Sequence, residues 1–427
     1  MQRILAALVA SLVLAAPAPA QTSEEVHAAE RTRFGFGELR PGANGDAGAP
    51  NAANSDEAKV GTLLPPPLFT DETQRSPEGW PARRAELARL VEDNWVGRVP
   101  EAAASLRVLW TKEVLEPHSG GAAREHWLGQ VIAPGGRMGP TIDAILTLPR
   151  GASAHPALID YSYIWPGGRR PDFGGPPPPD GVAMALQRGF AHVAYRPQLL
   201  QADNAADMAA GVIGLAGWPR ERHDWGALRA WAWGASALRE ALAADPRFDA
   251  ARISLAGHSR FGKGVLVAAA FDHAFADAHV SSSGAGGAKL MRRDFGERWE
   301  NMAGPSAFHW FTPEIMAFAA GQRTVADLPV DAHMLIALRA PRPLFVTSGL
   351  AEEGDAWVDP RGMWEAVRRA QPAWEALDAP VPRTAMPRPE AREQLAFPLG
   401  WYQHGEGHVP WPAWDEFYEH EARFAGE

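Results

Sequence analysis

The segment ISLAGHSRFGKG, residues 253–264, passes from an apolar, β-branched run into a helical one across Gly257 and Ser259. That strand–turn–helix context is the context of a nucleophile elbow. Gly257 stands two residues before Ser259 and Gly262 three after it, so the pattern departs from G-x-S-x-G, with Phe261 in the usual glycine place. A serine is a weak nucleophile alone and needs an adjacent base. The free N–H groups at the opening of the helix are suited to hold a developing oxyanion. The competing reading is an ordinary N-cap serine.

A nucleophile in this position expects an acid and then a histidine further along the chain. After the strand-like PLFVTSG (343–349), the loop GLAEEGDAWVDP offers Glu352, Glu353, Asp355 and Asp359. Near the end, WYQHGEGHVPWP places Gly405 and Gly407 before His408. His404 and His408 are four apart, a spacing that also suits metal ligation. The two glycines argue against a helix there and no third ligand is indicated, so no metal is expected. His408 is expected as the base, with His404 as the alternative.

Working outward, Arg252–Ala256 reads as a strand and 260–271 as the following helix. Helices are also expected over 225–242, 362–370, 414–424 and from Trp80 through PARRAELARLVEDNW. Strands are expected at 141–148, 157–163, 190–195 and 343–348, with alternating stretches at 106–110 and 127–132. Trp165 to Asp180, rich in Gly and Pro, reads as a surface loop. The alternation of strand and helix from about residue 140 predicts a largely parallel central sheet sandwiched between helices, and with the nucleophile elbow the expected fold is that of an α/β-hydrolase. The four tryptophans between Trp218 and Trp233 read as core and cleft wall.

The chain has 427 residues and a net charge of −10, which argues against nucleic acid as a partner. With 46% hydrophobic residues a substantial core is available. The absence of cysteine excludes disulfides, thiolate metal sites and a cysteine nucleophile. Residues 1–20, MQRILAALVASLVLAAPAPA, read as a secretory signal peptide ending at Ala18-Pro19-Ala20, which places the protein in a bacterial periplasm or exterior. No later apolar run is long enough to span a bilayer. Residues 21–60 are poor in large apolar side chains, so 21–79 read as an N-terminal arm or linker with a mobile segment's composition, and 80–427 as one catalytic domain.

Gly257, Ser259, Arg260, Gly262 and Lys263 together make G-x-S-R-x-G-K, and with them the chain resembles the glucuronoyl esterases, carbohydrate esterase family 15. The resemblance extends to DWGALRAWAWGASALREAL (224–242), SGAGGAKLMRRDFGERWEN (283–301), LPVDAHMLIALRAPRPLFVTSG (328–349) and DAWVDPRG (355–362), and covers about residues 80–424. It implies hydrolysis of esters on the C6 carboxyl of glucuronic or 4-O-methylglucuronic acid, which in plant cell walls join xylan side chains to lignin alcohols. It implies Ser259 as nucleophile, His408 as base, and Arg260 as an oxyanion support through backbone and guanidinium. It further implies Lys263 and Glu297 as partners of sugar hydroxyls, and Trp357 as a wall of the sugar pocket. Only four basic residues are lysines (Lys59, Lys112, Lys263, Lys289), so a lysine one turn after the nucleophile carries weight of its own. Many members carry the acid as a glutamate where this chain has Ser282. Asp355, the position used by bacterial members, is therefore the expected acid, with Glu352 or Glu353 as substitutes.

The expected partner is a glucuronate ester of xylan or of a lignin–carbohydrate fragment. No cofactor, nucleic acid or membrane is expected, and the protein is expected to be a monomer. Rival readings are an esterase for another ester such as acetylated xylan, a serine peptidase on the same scaffold, and a secreted carbohydrate-binding protein without activity.

Overall fold

The computed structural model describes residues 21–151, 154–163, 178–382 and 385–424. Among them nine strands form one sheet: β1 (Arg107–Leu115), β2 (Ala123–Ile132), β3 (Met138–Leu148), β4 (His155–Tyr161), β5 (Ala191–Tyr195), β6 (Phe248–His258), β7 (Ala278–Ser281), β8 (Leu344–Gly349) and β9 (Leu399–His404). Their order is β1-β2-β3-β5-β4-β6-β7-β8-β9. The pairs from β5 through β9 are parallel, while β1, β2 and β3 run antiparallel to one another and β3 antiparallel to β5. This is the expected α/β-hydrolase architecture. The parallel part, however, begins at β4 rather than at residue 140.

Burial explains the division. β7, β8 and β9 are buried along their whole length, as strands covered on both faces must be. β1 is exposed along most of its length and forms the sheet's outer edge. Along β8 the side chains alternate between two layers. Leu344 and Val346 join the larger core with the helices Ala227–Ala243, Arg260–Phe271 and Pro360–Glu375. Phe345 joins a second cluster with Phe417 and Tyr418 of the helix Trp414–Phe424. Trp225 and Trp231 of the tryptophan-rich segment are fully buried.

Residues 21–79 differ from the expected arm or linker. Ser23–Phe34 is a helix, capped by Thr22 and Glu25 in a reciprocal box. His27 Nε2 bonds Ala303 O at 2.9 Å, and Glu30 meets Arg220 at 2.6 and 2.9 Å in a buried pair. Further along, Asn301 bonds both backbone groups of Ala43, and Gly296 N donates to Asn54 O. The segment is held by polar bonds to distant residues, which its own composition does not reveal. Most of the expected loop 165–180 lies outside the described residues. Among the described residues no helix is long and apolar enough to cross a membrane.

Candidate active site

Parallel strands bring their carboxyl ends to one edge of the sheet, and the loops beyond them share that edge. Ser259 follows β6, Ser282 follows β7, Asp355 follows β8 and His408 follows β9. The register is continuous: His258 pairs with Ser281, Ser281 with Thr347, and Gly349 with His404.

Ser259 has φ 57° and ψ −125°, a left-handed backbone outside helix and strand. Such strain is stored where the surroundings over-determine it, as at a functional turn. Here Ser259 N extends the ladder to Ser281 O at 2.9 Å. A Cβ on Gly257 would lie 2.6 Å from Phe261 O, and one on Gly262 would lie 2.8 Å from Ser281 O. The close approach of helix to strand therefore needs both glycines. The helix Arg260–Phe271 opens immediately after the serine, as expected.

His408 Nδ1 meets Asp355 Oδ1 at 2.6 Å. The His408 ring lies 4.4 Å from that of His258, the residue preceding Ser259, which brings the imidazole to the elbow. Asp355 is fully buried, and its Oδ2 accepts from Ser282 Oγ and Gly349 N, both at 2.7 Å. Glu352 and Glu353 are exposed on the same loop. His404 is buried at the end of β9, where desolvation lowers its pKa. Of the alternatives open in the sequence, Asp355 and His408 are the two that meet. Ser282, just past the end of β7, donates to the aspartate.

Arg260 reaches outward, with its Nη1 donating to Asp203 Oδ2 at 2.8 Å. Asp203 also accepts from Trp310 Nε1 at 2.6 Å and contacts His309 Nε2 at 3.1 Å. Burial pushes the Asp203 carboxyl up, but His309, Arg260 and Trp310 outweigh it and hold it below the usual carboxylate value. Burial pulls the Arg260 guanidinium down, and Asp203 more than compensates. Asp203 and His309 were not singled out in the sequence. The only available signal was a carboxylate in the segment after β5, another strand ending at this edge. Tyr163, missed as well, donates to His258 O at 3.0 Å and so braces the elbow.

Lys263, Glu297 and Trp357 form a chain of contacts. Lys263 Nζ donates to Ser283 O at 2.6 Å and lies 3.6 Å from Glu297 Oε2. Glu297 Oε1 accepts from Trp357 Nε1 at 2.8 Å, and Oε2 accepts from Ala285 N at 2.9 Å. Burial lowers the Lys263 pKa, and the Glu297 carboxylate opposes that shift. Trp357 keeps 36% of its surface exposed, so an indole face is offered to solvent. The neighbourhood thus combines a cation, a carboxylate and an aromatic plane, groups that can hold a polyhydroxylated ring. Among the described residues no group of three His, Asp or Glu could hold a metal ion.

The family model described as glucuronyl esterase, fungi, matches residues 140–378. A CE15 glucuronoyl esterase from Teredinibacter turnerae is similar in structure, with a TM-score of 0.84 and 35% identity over 94% of this chain and 99% of that one. A carbohydrate esterase from an unknown prokaryotic organism is 34% identical over 47% of this chain and 45% of its own length. A 4-O-methyl-glucuronoyl methylesterase from Podospora anserina is 26% identical over 70% of this chain and 57% of its own. The chain thus spans about half the length of the curated relatives it matches. With a family model covering more than half of its residues and a solved member matched almost end to end, the chain belongs to the glucuronoyl esterases of carbohydrate esterase family 15.

Proposed function

We propose that this protein hydrolyses esters of glucuronic or 4-O-methylglucuronic acid through an acyl-enzyme on Ser259. The observation that carries this reading is the junction at the elbow: a His408–Asp355 pair reaches it, and the Lys263–Glu297–Trp357 chain starts from the helix that follows Ser259.

Ser259 Oγ attacks the C6 carbonyl carbon while His408 Nε2 takes its proton. Asp355 accepts from Nδ1–H, which keeps Nε2 the acceptor and stabilises the imidazolium that forms. The negative charge on the carbonyl oxygen is met by the Arg260 N–H at the helix start and by its guanidinium, with Asp203 as the guanidinium's anchor. The C–O bond to the alcohol then breaks and His408 returns the proton to the leaving oxygen. Water repeats the sequence on the uronoyl-serine and releases glucuronate. Lys263, Glu297 and Trp357 hold the sugar.

The physiological ester joins glucuronoxylan to lignin alcohols. Residues 1–20 are removed on secretion to a bacterial periplasm or exterior, and residues 21–427 act as a monomeric catalytic unit. The test is hydrolysis of benzyl glucuronate beside an acetyl ester, with Ser259→Ala as control. Serine-dependent release of glucuronate with little acetate supports the reading. Acetate released without glucuronate overturns it in favour of an acetylxylan-type esterase.

A further inference from the structure

We propose that the N-terminal segment completes a second, neutral sugar subsite beside Trp357, one that takes a xylose unit of the chain carrying the uronate. This rests on the glucuronoyl-ester reading of the site. A concavity of about 300 Å³ lies between the segment and the body, lined among others by Asn44, Gly45, Asn51, Asn301, Ser306 and Trp357. Its size falls at the lower end of small-ligand sites, about 300–1,000 Å³.

The segment is fixed in place before any ligand arrives. Asn301 Oδ1 accepts from Ala43 N at 2.9 Å and its Nδ2 donates to Ala43 O at 2.8 Å. Asn51 Nδ2 donates to Gly42 O at 2.7 Å, and Asn44 N donates to Asn51 O at 2.9 Å. A wall built this way costs little to order on binding.

The lining selects the ligand. Amides and a hydroxyl suit neutral hydroxyl groups, and an exposed indole face suits the C–H face of a pyranose. Among the described lining residues the charged group is Glu300, paired with Arg40 at 3.1 Å, and none is a lysine or arginine that would attract a second uronate. An aryl alcohol would find a single aromatic surface there.

Position selects which part of the substrate arrives. The acyl carbon sits at Ser259, and the departing alcohol leaves beside His408. The sugar extends along Lys263 and Glu297 to Trp357. What continues past Trp357 is attached to the far side of the uronate ring, which is where the xylan chain hangs.

The test compares benzyl glucuronate with the benzyl ester of a 4-O-methylglucuronoyl-xylotriose, and measures xylotriose binding by calorimetry. Gly45 is a lining residue whose added Cβ meets nothing within 4 Å and whose backbone is not left-handed, so Gly45→Phe adds bulk to the lining of the concavity without a clash. Ser306→Trp fills it from the opposite wall. The expected result is that the ratio of kcat/KM for the longer ester to that for benzyl glucuronate falls about tenfold in both variants, and that xylotriose binding is lost. An unchanged ratio overturns the subsite. If benzyl glucuronate is not hydrolysed at all, the proposed reaction falls. Calorimetry then decides the subsite by itself: binding abolished by both variants supports it, and binding absent or undiminished overturns it.

Discussion

Ser259, Asp355 and His408 follow the carboxyl ends of three parallel strands, whereas Glu297 and the backbone around Ala43 sit on loops tied together by side chains. On the first wall the spacing comes from sheet register: β6, β7, β8 and β9 pair in sequence, and each loop leaves at the same edge. On the second it comes from single polar bonds, such as Asn301 to Ala43 across 258 positions of sequence. A sheet holds its residues cooperatively, while a loop holds them by whatever bonds its side chains make. The reactive wall should therefore answer to substitution mainly in kcat, and the recognition wall mainly in KM.

The largest effect tests the first wall. Asp355→Asn should cut kcat by about 10⁴-fold through the wrong imidazole tautomer, with the circular dichroism spectrum intact. Glu352→Gln should leave kcat near wild type, because that carboxylate is exposed. Near-normal turnover in Asp355→Asn would break the assignment. Next is the anchoring of the N-terminal segment. Glu30→Ala leaves the buried Arg220 guanidinium without its carboxylate and should cost about 3 kcal/mol or more of stability, read as a lowered Tm. An unchanged Tm would mean that the segment contributes no stability.

A smaller effect separates the two walls at their border. Asp203 touches Arg260 but not the elbow serine. Asp203→Ala should lower kcat about 10–100-fold, by loosening a donor aimed at the oxyanion, while KM changes less. A change in KM alone would move Arg260 to the recognition wall. The smallest effect is a pH shift. Burial lowers the Lys263 pKa and Glu297 opposes the shift, so Glu297→Gln lowers that pKa further. Lys263 then loses its proton at a lower pH, and KM for benzyl glucuronate should begin to rise at a lower pH than in wild type. A profile rising at the same pH as wild type would remove Lys263 from binding.

Much of the reactive wall was legible in the chain. The elbow helix runs Arg260–Phe271 and the last helix Trp414–Phe424, both where apolar periodicity put them. Ser259 was found from its strand–turn–helix setting. Only the family resemblance put Asp355 ahead of the two glutamates beside it, since all three are carboxylates within four residues of one loop. What separates them is burial against Ser282 and the Gly349 N–H. His408 was expected ahead of His404 from its place after the last strand, and its ring is the one that reaches that carboxylate.

The N-terminal segment and Asp203 lie at the other extreme. Residues 41–58 contain no large apolar side chain, and composition alone gave a linker. Their fixed course comes from Asn301, Gly296 and Arg293, whose side chains or backbone meet them only once the chain has folded. Periodicity and turn chemistry involve neighbouring residues, so the sequence alone determined most strands and helices of the body and the tight turn that carries Ser259. Pairing between groups from about fifty to more than two hundred residues apart has no local signature, so the tertiary structure alone decided which carboxylate meets His408, what anchors Arg260 and what stands beside Trp357.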